Sequence, residues 1–190
     1  MTYSLGEVEA LCRKAARGAG FSWGMADEAG KTARWLCQHG LPGTAALAGY
    51  LDTVKTPLGP DDPNLQDWST NGTLCPLICG ALLSDMGPDA AVRYLHKLAW
   101  PILIMPHIEN RRATILDDVS RSLDPLLQLA NLVLLEPARN TARRPSEKTT
   151  RAMITTQDLA TLTRLAARTY APETDASKLS GAGAGLKDED

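Results

Sequence analysis

The sequence predicts an α+β fold, on three observations. Apolar residues recur at helical spacing from residue 4 to residue 54, short β-rich apolar runs follow between residues 100 and 137, and no regular strand–helix alternation of the kind a parallel α/β sheet needs appears anywhere. The expected layout is a helical N-terminal unit (1–54), a Pro/Gly-rich loop (55–73), an α+β body with a small, mostly antiparallel sheet and a C-terminal helix (74–170), and a Gly-rich acidic tail (171–190). A chain of 190 residues with 44% hydrophobic content can close a full core, so these parts are read as one domain.

The helical front is the clearest part. Ser4 and Glu7 have capping-box spacing, which predicts a helix start. Leu5, Val8, Leu11, Cys12, Ala15 and Ala19 then step along one face, with acids early and Arg13, Lys14 and Arg17 late, as the helix dipole favours. Gly18 and Gly20 end this helix. A second runs from Trp23 to about His39, its inner face built from Ala26, Ala29, Ala33, Leu36 and Cys37, with Gly40 as its C-cap. Small residues on that face, Gly30 among them, let a neighbouring helix come close. Asp27 and Lys31 are spaced for an i to i+4 ion pair on the outer face. Pro42 at a first-turn position opens a third helix, with Leu47, Tyr50, Leu51 and Val54 inward.

The body is less regular. Trp68 is expected to pin the 55–73 loop to it, and 76–85 reads either as a short buried helix started by Pro76 or as a loop followed by one. The stretch from Pro88 begins as a helix through Ala91, Leu95 and Leu98. "ILIM", enclosed by Pro101 and Pro106, reads as a buried or edge strand, as do 111–119 and 128–137, although the last also fits a helix through Leu126, Leu129, Val133 and Leu134. Residues 138–150 are a basic linker, "RAMIT" is one more short strand, and Thr156 caps a last helix whose inner face is Leu159, Leu162, Leu165 and Ala166.

Charge and composition exclude several functions. Twenty basic and twenty-two acidic side chains give a net charge of -2, so no global field recruits a polyanion. The one basic cluster, Arg139, Arg143, Arg144, Lys148 and Arg151, is diluted by Glu136 and Glu147 and lacks interleaved aromatics, so it reads as an exposed linker and not as a nucleic-acid site. The longest apolar run, Trp100 to Met105, is far short of the roughly 20 residues that cross a bilayer, and the N-terminal residues have no signal-peptide pattern. A cytoplasmic protein with reduced cysteines is the expectation. Cys12 and Cys37 fall on core faces, and Cys75 and Cys79 lie four apart on one helical face. No second pair accompanies them, and His39, His96 and His107 lack ligand spacing, so neither a metal nor a cofactor is predicted.

Candidate chemistry gathers in two places. Cys75 or Cys79, with Asp85 and His107 and with Ser177 from the tail, supply a nucleophile, a base and an acid, without a G-x-S-x-G elbow. In the tail, Gly181, Gly183 and Gly185 alternate with alanine, a spacing suited to a backbone concavity that cradles an anion, with Tyr170 and Ser177 beside it.

The segments "KAARGAGFSWGMADEAGKTARWL", "CPLICGALLSD" and "ARTYAPETDASKLSGAGAGLKDED" resemble a family of small bacterial proteins known only as a domain of unknown function, over the whole chain and most closely at its two ends. The family's tail pattern corresponds here to Tyr170, Pro172, Ser177, Gly181, Gly183 and Gly185. Where the family ends on an Asp-Asn-Asp-like acidic cluster, this chain has Lys187, Asp188, Glu189 and Asp190 instead. The resemblance implies that the tail is part of the fold and implies no activity. Two functions stay open: a protein that binds an anionic metabolite or serves a partner enzyme, with a homodimer as one expected assembly, and a small cofactor-independent enzyme using the tail, Cys75 to Asp85, and His107.

Overall fold

A computed structural model describes residues 1–86, 92–108, 111–115, 126–137 and 148–170. It is an α+β structure with a helical front and two small sheets. Strand β1 (Thr2–Ser4) leads into helix α1 (Leu5–Gly18), followed by α2 (Trp23–Gln38) and α3 (Gly43–Thr53). The Ser4 capping box is formed: the Glu7 amide donates to Ser4 Oγ at 3.3 Å, and the Ser4 amide donates to Glu7 Oε2 at 2.7 Å. Ser22 caps α2 with its side chain alone, accepting the Met25 amide at 3.3 Å.

At the other end of α2, Gly40 takes φ +71°, and the amides of Leu41 and Gly40 return to the carbonyls of Leu36 and Cys37. This is a Schellman ending, which satisfies carbonyls the helix itself leaves open. Pro42 stands one position before α3, as its N-cap, and supplies no side-chain cap. The sulfur of Cys37 faces the Gly43 and Thr44 amides there; burial raises the thiol's pKa and those amides oppose the rise.

The helices of the front meet through small residues. A Cβ on Gly30 would lie 2.8 Å from the Glu9 carbonyl oxygen, and one on Gly43 would lie 2.5 Å from that of Ala33. The expected Asp27–Lys31 pair is replaced by two others. Lys31 binds Glu28 at 2.8 Å, and Asp27 reaches across to Arg13 at 3.6 Å, because the α1–α2 contact brings that guanidinium closer than the next turn of its own helix.

Beyond the front, β2 (Asp67–Trp68) carries the fully buried Trp68, which holds the long loop as expected. Helix α4 (Pro76–Asp85) starts at Pro76, so the helical reading of that segment is the right one. Strand β3 (Arg93–Ala99), the 3₁₀ helix η1 (Pro101–Ile108), β4 (Arg111–Ile115) and β5 (Leu129–Pro137) follow, then β6 (Arg151–Met153) and α5 (Thr156–Ala167). The sheet order is β2-β3-β5-β4, antiparallel except for the β2–β3 pair, and β6 pairs with β1 in a separate antiparallel ribbon.

Two expectations for the body are overturned. Arg93–Ala99 is a central strand and not a helix. Leu95 and Leu98, three apart, are both buried because a bulge between them, with Lys97 at φ +52°, adds a residue and returns both side chains to one side of the sheet. "ILIM" is a 3₁₀ helix and not a strand. Trp100 at φ +42° turns the chain out of β3, and the places beside β3 are taken by β2 and β5. Pro101 and Pro106 lack the amides a ladder would need. Thr155, one residue before the expected cap, receives the Asp158 amide at the start of α5.

Two apolar clusters fill the interior. The larger lies among α1, α2, α3 and α5, and the smaller lies between the four-stranded sheet and α4. Helix α4 serves both: Leu77 belongs to the first, Cys79 and Leu83 to the second.

Candidate functional site

His107 closes η1, and its side chain enters the angle between α4 and α2. Its Nδ1 is 3.0 Å from Ser84 Oγ on α4, and its Nε2 is 3.3 Å from Thr32 Oγ1 on α2. Gly80 makes this approach possible, since a Cβ there would lie 2.3 Å from the ring's Cδ2. Ser84 Oγ also donates to the Gly80 carbonyl at 3.1 Å.

Proton positions follow from satisfying each donor. Thr32 is buried, 1% exposed, and its hydroxyl proton finds its acceptor in Nε2. The ring proton is then on Nδ1 and goes to Ser84 Oγ, whose own proton goes to Gly80. The chain Thr32 to His107 to Ser84 to Gly80 leaves no donor without an acceptor. Burial pushes the His107 pKa below its ordinary value, and the Glu28 carboxylate on α2 partly opposes this. The ring is therefore a neutral imidazole around pH 7.

The structure does bring His107 to the Cys75–Asp85 segment, but to Ser84 and Gly80 and not to Cys75 or Asp85. Cys75 is 1% exposed; it caps α4 by accepting the Ile78 amide at 3.5 Å, and burial raises its thiol pKa. Asp85 is exposed at the last turn of α4 and makes no hydrogen bond to His107. A general base needs a free lone pair toward its nucleophile, whereas the tautomer that satisfies Thr32 puts the ring proton on the nitrogen facing Ser84. Ser177, Gly181, Gly183 and Gly185 lie outside the described residues.

The other cysteines and histidines are engaged elsewhere. All four cysteines are free and buried. His39 stacks on Trp35 and donates from Nδ1 to that residue's carbonyl at 2.7 Å, while His96 meets Asp67 at 3.1 Å. Among the described residues, no group of three or more His, Cys, Asp or Glu side chains is placed to hold a metal ion. No described helix is long and apolar enough to cross a membrane.

Tyr170 leads to a second place. It stands just past α5, 64% exposed, with Lys14 Nζ 5.8 Å from its ring centroid. One turn further along α1, the Arg17 guanidinium lies 4.9 Å from the ring centroid of Trp23, which is 66% exposed. Arg17 is steadied by donating to the Phe21 carbonyl at 2.7 Å. Arg168 joins the same end of α1, its Cβ lying beside Gly18. Among the described residues, none of Lys14, Arg17 and Arg168 has a carboxylate within ion-pair distance. The chemistry offered is an exposed cationic edge flanked by two aromatic faces.

Sequence reasoning singled out Tyr170 but missed Trp23, Ser84 and Thr32. Trp23 sits at the first position of an amphipathic helix, where pattern alone does not distinguish an inward from an outward ring. Ser84 and Thr32 gain their partner only through the fold. Comparison with curated proteins and with solved structures yields no match. The resemblance expected over the whole chain is supported across its first part: residues 3–81, which contain the helical front, the long loop and the first turns of α4, match the family model described as a protein of unknown function (DUF3726).

Proposed function

We propose that this chain is a binding or accessory protein of bacterial metabolism, cytoplasmic, that takes a small anionic metabolite at the C-terminal end of α1. The observation that carries this reading is the pairing of two largely exposed aromatic rings, Trp23 and Tyr170, with two α1 cations that have no carboxylate partner among the described residues. Trp, Tyr and Arg are the side chains that most often carry binding energy once a partner covers them. A cation over an exposed ring gains only about 0.5–1 kcal/mol, so an anion can draw it away at small cost. Four free thiols accord with a reducing compartment.

The alternative, a cofactor-independent enzyme at Cys75–Asp85 and His107, has less support. Its histidine bonds to Thr32 and Ser84, its cysteine is a buried cap, and its acid is exposed without a hydrogen bond to the histidine.

Titration of the full-length protein with mono- and dianionic carboxylates and phosphates, followed by tryptophan fluorescence and calorimetry, tests the binding reading. At least one should bind saturably, more weakly as salt rises, and at least tenfold more weakly in Lys14→Glu and Arg17→Glu variants that keep the wild-type melting temperature. Binding untouched by both charge reversals, or no binding across the panel, would refute it.

A further inference from the structure

We propose that His107 is an acid-sensitive latch: as a neutral imidazole it ties η1 and α4 to α2 of the helical front, and protonation releases that tie. The argument begins with where the ring sits. η1 and α4 pack closely on one another and both touch α2, so the angle between them is where the front meets the sheet half. Much of that contact is apolar and indifferent to pH. Within it, His107 joins all three elements, through Ser84 on α4 and Thr32 on α2.

The proton inventory makes the tie conditional. In the neutral ring, Nε2 accepts the buried Thr32 hydroxyl proton, and Nδ1–H donates to Ser84. Protonating Nε2 turns its lone pair into a second donor facing Thr32. Two protons then point at each other across 3.3 Å unless the threonine rotor or the ring moves. Thr32 has no solvent to turn to, being 1% exposed. The added charge also lies in a site that burial already makes unfavourable for it.

Charged and titratable groups around the ring, among the described residues, leave this balance in place. From α2 the acting charge is Glu28, which favours the protonated ring but is shared with Lys31 at 2.8 Å. From α4 the ring meets Ser84 and the Gly80 backbone, neither of which titrates, and the neighbouring Asp85 is exposed without a bond to it. Because the folded-state pKa is lowered, stabilisation by the neutral ring is complete above the unfolded value of about 6.5 and is lost as pH falls below it. Each pH unit between that value and the folded one weakens the latch by up to tenfold.

The device fits its surroundings. The chain enters η1 through Trp100 at φ +42°, a left-handed conformation that a tryptophan adopts only under constraint, so the segment carrying His107 is held by its neighbours and relaxes when they loosen.

Two measurements on the full-length protein test the proposal. The first is an NMR pH titration of the three histidines, with His107 identified by its absence from a His107→Asn variant. The proposal requires a His107 midpoint below 6.5, and a midpoint at or above that value overturns it. The second is hydrogen–deuterium exchange, corrected for intrinsic rates, at pH 7.5 and pH 5.5. Peptides from α4 and η1 should lose at least threefold in protection at the lower pH, while the buried turns of α1 hold theirs. In His107→Asn, which keeps an amide nitrogen where Nδ1 stood but cannot gain a charge, the pH-dependent loss should vanish. An equal loss in the variant, or none in the wild type, overturns the latch. If His107→Asn does not fold, Ser84→Ala, an exposed position on α4, replaces it: without the Ser84 anchor the threefold difference should shrink toward onefold, and an undiminished difference overturns the proposal.

Discussion

Replacing Gly18 with alanine sets two effects of opposite sign against each other at one position. Alanine is favoured over glycine in a helix by about 1 kcal/mol, and at the last residue of α1 that is an upper limit. Against this, a Cβ on Gly18 would lie 1.8 Å from the Leu165 carbonyl oxygen and 2.8 Å from its carbon. Ordinary contact begins near 3.4 Å, so the two backbones must part by about 3.4 − 1.8 = 1.6 Å. Neither obstacle is a side chain that can rotate away. Overpacking costs about 1–3 kcal/mol where a core can adjust, and two fixed backbones put this case at the upper end. The net expectation is a loss of about 2 kcal/mol, or roughly 4–8 °C in Tm for a chain of this size. Urea and thermal unfolding of the two proteins would measure it. A stabilised Gly18→Ala variant would mean that α1 and α5 are not packed backbone to backbone, and the placement of Arg168 and Tyr170 beside α1 would fall with that packing.

Two further changes test the interior and the caps. Tyr50 is 3% exposed, burial drives its pKa up, and among the described residues its hydroxyl completes no well-formed hydrogen bond, although the Cys75 thiol lies close enough to interact with it. Tyr50→Phe should therefore raise the urea midpoint, by about 1 kcal/mol of stability, and a loss of that size would show that the Cys75 thiol is a real partner. Ser4→Ala removes the acceptor for the Glu7 amide and should cost about 1 kcal/mol. Its effect on unfolding should match that of Thr155→Ala at the start of α5, where the Asp158 amide is served in the same way.

The front of the fold was legible because its signals are local. The capping box at Ser4, the small-residue face of α2 and Gly40 past its end each act within one or two helical turns, and each appears where the sequence puts it. Thr155 took the capping role one residue before the expected Thr156, which is the usual resolution of a helix boundary. In the body, decisive causes are not local. Leu95 and Leu98 imitate helical spacing because a bulge at Lys97 breaks the strand's period of two, and that bulge is secured from another strand, by Asn131 Oδ1 accepting the Lys97 amide at 2.9 Å. "ILIM" has strand composition, yet β2 and β5 already flank the strand it follows. Of the site residues, His107 was recognisable as a histidine between buried segments, but its partners are 75 and 23 positions away in sequence and are hydroxyls with no pattern of their own.

The same remote causes explain why strain gathers just before His107. Lys97 and Trp100 are the two described non-glycine residues with positive φ, and each costs about 1–2 kcal/mol relative to ordinary backbone. Both are held by long-range bonds. The Lys97 carbonyl accepts the Leu74 amide at 3.0 Å, and the Trp100 amide donates to the Gln128 carbonyl at 2.9 Å. The Trp100 ring fits only because Gly49 on α3 has no side chain, since a Cβ there would lie 2.3 Å from it. Each distortion has a structural return. The first turns Leu95 and Leu98 together into the smaller cluster, and the second swings the chain from the sheet into η1, which delivers His107 to α4 and α2. Regular β3 geometry would relieve both, but it would carry the chain onward along the sheet and away from Ser84 and Thr32. The strain is thus the cost of joining the two halves at one polar contact, and that contact is neutral only while His107 is.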